Sequence, residues 1–164
     1  MIMRRLILAA LLAAGAAGCA AAPGPAPGPS TDLSFELRRG ACFGFCPMYR
    51  VRIDGDGTVT WEGERFVGTK GHASAKVDPA RVQALARRFR EARFFALKDE
   101  YRAQVTDMPT YILSFRDGNR SKVVVDYAGQ MAGMPAVVTE LEKAVDATAG
   151  TDRWIAGGEK DRER

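Results

Sequence analysis

The cysteines are where this sequence could do chemistry. Cys42 and Cys46 stand four apart within G-A-C-F-G-F-C-P-M-Y, residues 40–49. Two thiols so placed can close a small ring or work as a redox pair. A redox pair draws its reactive thiolate from C-x-x-C at a helix N-terminus, which lowers the thiol pKa. Here the spacing is longer, and Pro47 and an alternating stretch follow in place of a helix. The expectation is a disulfide, stabilising by about 2 kcal/mol through loop entropy. Such a ring stiffens Phe43-Gly44-Phe45, and one ring should point outward if the other packs. Phe43 and Phe45 are therefore the candidate binding loop, since a rigid element loses little entropy on binding. The alternative puts both rings in the core.

Other chemistries find less support. Structural zinc takes four ligands, and catalytic zinc takes three with an open position. Cys42, Cys46 and His72 make three only if folding gathers them, and His72, between Gly71 and Ala73, reads as an exposed loop residue. Asp54-x-Asp56 begins like a calcium loop, but the sixth position is Val59 and the twelfth Arg65, where glycine and glutamate are required. A hairpin turn accounts for it better. A serine or cysteine triad needs a histidine base, and no Gly-x-Ser-x-Gly accompanies the single histidine. Asp99, Glu100, Asp107 and Asp126 could form a dispersed carboxylate site, though nothing in their spacing gathers them, and Asp107 reads as a turn cap. No catalytic residue, metal ligand or cofactor is assigned, and the expectation is a protein that is not an enzyme.

The third cysteine belongs to a targeting segment. Residues 1–5 are short and positive, 6–14 apolar, and 15–18 small, which is the plan of a secretory signal. The apolar run falls short of the roughly 20 residues of a permanent membrane span. Ala16-Ala17-Gly18-Cys19 resembles the lipobox of bacterial lipoproteins, which implies that Cys19 is lipidated and becomes the mature N-terminus; the family prefers Leu where this chain has Ala16. Ala20 after the cysteine, in place of Asp, implies sorting to the outer membrane; a soluble periplasmic or secreted protein is the alternative. Residues 19–31, rich in alternating Pro and small residues, read as an extended tether reaching on the order of 35 Å. The net charge of +4 falls to +2 once Arg4 and Arg5 leave with the leader. That excess is too small for a nucleic-acid partner.

The elements that must position the cysteine loop follow from periodicity. Alternation predicts strands over 33–38, 49–53, 58–63, 109–115 and 122–127, with weaker signals at 66–68 and 73–77. Asp54-Gly55-Asp56-Gly57 and Asp117-Gly118-Asn119 predict hairpin turns. Asp78-Pro79 predicts a helix start, and Val82, Leu85, Ala86 and Phe89 its buried stripe. The arginines on its other side, Arg81, Arg87, Arg88 and Arg90, read as a solvated face, with anionic partners as the alternative. Residues 97–107 read as irregular. Pro135 opens a second helix with Val137, Val138, Leu141, Ala144 and Val145 inward, and Trp154-Ile155 reads as an apolar plug. The predicted fold is α+β, an antiparallel sheet of five to six strands with two helices on one face. It occupies residues 32–156, after a leader at 1–18 and the tether at 19–31, and before a charged, disordered tail at 157–164.

The motif G-x-C-F-G-x-C-P-x-Y at residues 40–49, followed by the Ile53-to-Val59 hairpin, resembles a bacterial domain family of unknown function found on secreted proteins and lipoproteins. Phe94-Phe95, Tyr101, Thr106-Asp107-x-Pro109 and the closing helix extend that likeness over about residues 33–156. It implies no established activity. The last third, from Asp107-to-Tyr111 through the Asp117-Gly118 hairpin to the helix at Pro135, resembles emfourin-type inhibitors of thermolysin-like proteases, but the cysteine corner departs from them. The expected function is that of a lipid-anchored, periplasm-facing, non-catalytic binding module. Its partners are the membrane, through the anchor, and an envelope protein or polysaccharide. An emfourin-like inhibitor and an enzyme with a dispersed carboxylate site are the alternatives.

Overall fold

A computed structural model of the chain describes residues 32–158. Cys19, the leader, the tether through residue 31 and the tail from residue 159 lie outside the described residues. Seven strands form one sheet: β1 (Leu33–Arg39), β2 (Met48–Asp54), β3 (Thr58–Arg65), β4 (Gly71–Lys76), β5 (Glu100–Arg102), β6 (Thr110–Asp117) and β7 (Arg120–Tyr127). Their order across the sheet is β4-β3-β2-β1-β6-β7-β5. Helix α1 (Pro79–Glu91) connects the two halves, α2 (Ala136–Ala149) follows β7, and α3 (Asp152–Ile155) is a single closing turn.

The strand count corrects the expected five to six. The added strand is β5, which pairs with β7 in parallel, Tyr101 opposite Asp126, so the sheet is antiparallel except at that edge. Only Tyr101 of its three residues turns inward, flanked by exposed Glu100 and Arg102, and three residues are too few for alternation to register. His72 is exposed as expected, but it lies on edge strand β4 opposite Glu62 and not in a loop. Among the described residues no helix is long and apolar enough to cross a membrane.

The central strand sets the core. In β1, Phe35 faces Ile53 on β2 and Phe115 on β6. Its ring lies 4.9 Å from both Phe115 and Phe89 of α1. Phe94 packs 5.0 Å from Phe89, extending the aromatic cluster past the helix end. A second stack, Tyr49–Trp61–Trp154, with centroids 4.6 and 5.2 Å apart, brings α3 onto β2 and β3. The buried apolar residues of both long helices join the inward residues of the sheet in one cluster. The opposite face carries charged side chains, with Arg38 near Glu64 and Arg50 between Glu36 and Glu62.

Local chemistry fixes the element ends. Asp78 accepts a hydrogen bond from the Ala80 N–H at 2.8 Å and Pro79 occupies the first helical position of α1. Between β2 and β3, Gly57 has φ 84°, and a Cβ there would sit 2.1 Å from the Val77 carbonyl oxygen. Asp56 in that turn accepts from the Thr58 N–H, the Thr58 hydroxyl and Lys76, so this carboxylate serves the hairpin. Trp154 is buried as a plug, and backbone bonds from Gly68 and Thr69 to Ile155 and Trp154 tie this segment to the β3–β4 turn. Of the expected tail, Gly157 and Gly158 are described, and Gly158 is buried beside Phe66 and Val67.

Phe35→Ala should cost about 3–5 kcal/mol, because the ring is wholly buried against those of Phe89 and Phe115. Glu36→Ala, on the charged face, should change stability by less than about 0.5 kcal/mol. Urea unfolding of both variants checks which face carries the core.

Candidate functional site

The seven strands have two ends, and the candidate functional residues collect at one of them. There β1 stops at Arg39, the cysteine loop begins, β6 starts at Thr110 and β7 finishes at Tyr127. Helix α2 packs on β1 and β2 and brings Glu142 and Asp146 to this region.

Cys42 and Cys46 are paired, their Cα atoms 5.8 Å apart. The loop they close is also fastened to the segment before β6. The Gly40 N–H donates to the Thr110 carbonyl at 2.8 Å and the Phe43 N–H to the Asp107 carbonyl at 3.1 Å. Phe43 is 87 % exposed; Phe45 is 50 % exposed and meets Phe66 edge-on at 5.3 Å. One ring points outward while the other leans on the domain. Met108 and Met131, also exposed, stand on the neighbouring segments.

Beneath the loop lies a polar hub that periodicity alone does not reveal. Asp146, in the last turn of α2, accepts from Arg39 Nη2 at 2.6 Å and Nε at 3.0 Å. It also accepts from the Tyr49 hydroxyl at 2.7 Å and the Thr151 hydroxyl at 3.1 Å. The Arg39 guanidinium lies 4.4 Å over the Tyr111 ring. Burial works against the arginine charge, but the Asp146 carboxylate more than offsets it and raises the Arg39 pKa. Burial, then the charge of Asp146, pushes the Tyr49 hydroxyl well above its ordinary range. These groups form a fixed ion pair with a neutral phenol, not a proton-transfer set.

On the other side of Tyr111 opens a cleft of about 270 Å³, lined by Met108, Pro109, Tyr111, Asp126, Met131 and Glu142 among others. Glu142 is only 2 % exposed, and its Oε1 is buried without a hydrogen-bond partner. Desolvation, followed by the charge of Asp126, pushes its pKa up to about 8, and a hydrogen bond with Asp126 acts in the same direction. Asp126 also accepts from the Gly129 N–H at 2.7 Å. Glycine is needed there for space, since a Cβ would stand 2.8 Å from both Asp126 Oδ1 and Met134 Sδ. Asp107 (φ 69°) and Ala128 (φ 50°), in this same region, hold left-handed backbone that non-glycine residues seldom adopt. Such strained positions concentrate at sites of recognition.

The four carboxylates weighed from the sequence are not gathered. Asp99 pairs with Lys122, Glu100 with Arg102, and Asp107 accepts from the Thr106 hydroxyl within its turn. Asp126 alone faces the cleft, and its partner is Glu142. Glu142 continues the row of Val138, Val145 and Ala149 along α2. A glutamate on an otherwise apolar helical stripe is the signal that points to it. Among the described residues no three His, Cys, Asp or Glu side chains come together as a metal site. The arginine face of α1 is partly engaged: Arg90 makes two bonds of 2.7 Å to Asp117, and Arg81 reaches the Ala147 carbonyl.

A buried acid with a raised pKa makes stability depend on pH. Unfolded, Glu142 ionises near 4.5; folded, near 8. The native state therefore holds a proton that the unfolded chain releases across that window. The contribution is complete below pH 4.5 and is lost as pH rises through 8. Glu142→Gln removes the ionisation, so the variant should gain about 2–4 kcal/mol relative to wild type between about pH 5 and pH 9. Urea unfolding at both pH values measures this, and parallel pH profiles would contradict it.

Against curated proteins the chain finds no match. The family comparison covers residues 33–149, from the first residue of β1 to the last of α2, and so takes in the loop, the cleft and the hub apart from Thr151. The chain belongs to the DUF6438 family, a domain of unknown function.

Proposed function

We propose that this protein is a non-catalytic binding module, anchored by lipid at Cys19 to the outer membrane and facing the periplasm, with Phe43 as the centre of its contact surface. The observation that carries this reading is the exposure of Phe43 on a loop that cannot relax. The disulfide closes the loop and two backbone hydrogen bonds hold it against the Thr110 side of the sheet. Burying an exposed phenylalanine stabilises a complex by about 1.5–3 kcal/mol, and a preformed loop spends little of that on ordering. Met108 and Met131 stand exposed nearby. Aromatic and methionine side chains are enriched in protein interfaces, so an envelope protein is the favoured partner over a polysaccharide, which would use the aromatic ring alone. The disulfide is consistent with folding outside the cytosol.

Phe43→Ala should leave stability within about 0.5 kcal/mol of wild type, because its ring is exposed, while abolishing the contact. A photo-crosslinking residue in place of Phe43, in cells carrying the full chain, should give a discrete adduct with an envelope protein. Absence of any adduct, or an adduct that persists when Met108 and Met131 are both changed to Asp, would count against this surface.

The anchor has its own test. A palmitate analogue should label the wild-type chain and fail to label Cys19→Ser, which should appear in the soluble periplasmic fraction. Equal labelling of both would remove the anchor from the proposal.

A further inference from the structure

The cleft beside Tyr111 shares Met108 and Met131 with the surface around Phe43, but its inner wall differs in kind. Its outer walls are apolar, from Met108, Tyr111 and Met131; its inner wall holds two carboxyl groups. Burying an acceptor without a partner is unfavourable, and Glu142 Oε1 is such an acceptor. A donor entering the cleft would satisfy it. The Arg39 guanidinium is already held by Asp146, and its charge offsets the burial of Glu142 only in part, leaving the Glu142 pKa raised.

We propose that this cleft binds a small organic ammonium ion, its N–H groups donating to Glu142 Oε1 and Asp126 while its apolar body lies on Met108, Tyr111 and Met131. Acidic groups set behind methionine and aromatic walls suit a ligand charged at one end and apolar at the other. The groups facing Glu142 are Asp126 from β7, Tyr111 from β6, Arg39 from β1, Tyr49 from β2 through the hub, and Asp146 from α2 itself. Among the described residues neither Asp126 nor Glu142 forms an ion pair with a cation, and Arg39 acts on Glu142 only through its charge at longer range. Entry of the ammonium ion replaces the proton on that pair: the Glu142 O–H bond breaks, the proton leaves to solvent, and the ligand keeps its own charge. No other bond changes. Binding should therefore strengthen with pH below the point at which the free pair loses its proton.

The test is calorimetric titration of the full chain with n-butylammonium, n-butanol and butyrate, in two buffers of different ionisation heat. Butylammonium should bind saturably, release about one proton per site and bind roughly tenfold more tightly for each pH unit between about 6 and 8. Butanol and butyrate should give no saturable heat. Glu142→Gln should weaken binding at least about tenfold and abolish the proton release. Met131→Ala, at an exposed position where folding is not at stake, should weaken binding several-fold and leave proton release intact. Should Glu142→Gln fail to fold, Met131→Ala still decides whether the cleft is the site. Equal response to butanol, absence of saturable binding, or wild-type affinity in Met131→Ala would overturn the assignment.

Discussion

Asp146 holds together the end of this domain from which the cysteine loop departs. The last turn of a helix is electrostatically the wrong place for a carboxylate, because the unpaired carbonyls already give it negative character. The chain offsets this with cations from two directions. Arg39, from the end of β1, binds the carboxylate through two nitrogens, and Arg153 donates to the carbonyls of Ala149 and Gly150 at 2.8 and 2.7 Å. Tyr49 and Thr151 supply further hydrogen bonds. The result fastens the C-terminal end of α2 to β1 and β2 at the point where the cysteine loop departs. A half-buried pair of this kind adds little net stability over an apolar contact, yet losing one partner costs about 3–5 kcal/mol. What it supplies is position: the loop root, Tyr111 and the cleft wall all refer to it.

Much of this was legible in the sequence because it depends on local rules. The two hairpins announce themselves through Asp-Gly turns, α1 through Asp78-Pro79, and the cysteine ring through a spacing that short segments can close. These features need no knowledge of what lies across the sheet. The parts that were not legible depend on distant partners. Arg39 and Asp146 are 107 residues apart, and neither stands in a motif. Asp126 and Glu142 each look ordinary, one at the end of a strand and the other on a helix. Their meaning comes from a topology that sets β7 beside β6 and packs α2 on the neighbouring β1 and β2, so that Glu142 reaches Asp126. Strand β5 was missed for a related reason: it is defined by its neighbour β7, not by its own three residues.

The edges of the sheet show the same division of labour. On β4, His72, Ser74 and Lys76 face solvent, and β5 offers three residues with charged Glu100 and Arg102 outward. Short or charged edges discourage the pairing of one sheet with another. An apolar side chain exposed elsewhere therefore stands out against a surface otherwise guarded against association. Phe43 and the two methionines are such side chains, and all three belong to one end.

That polarity has a geometric consequence for a tethered protein. The opposite end of the sheet holds the start of β1 and both hairpin turns, joined by bonds from Gly55 to Leu33 and from Gly118 to Asp32. A tether running from Cys19 would enter there. The seven residues of β1 span roughly 23 Å at the rise of an extended strand, and only beyond them does the chain reach Gly40 and the loop. The chain preceding Leu33 thus joins the domain at the end away from Phe43 and the mouth of the cleft. The same strand that centres the aromatic core separates the entry of the chain from the cysteine loop, and the Cys42–Cys46 bridge closes that loop at the strand's far end.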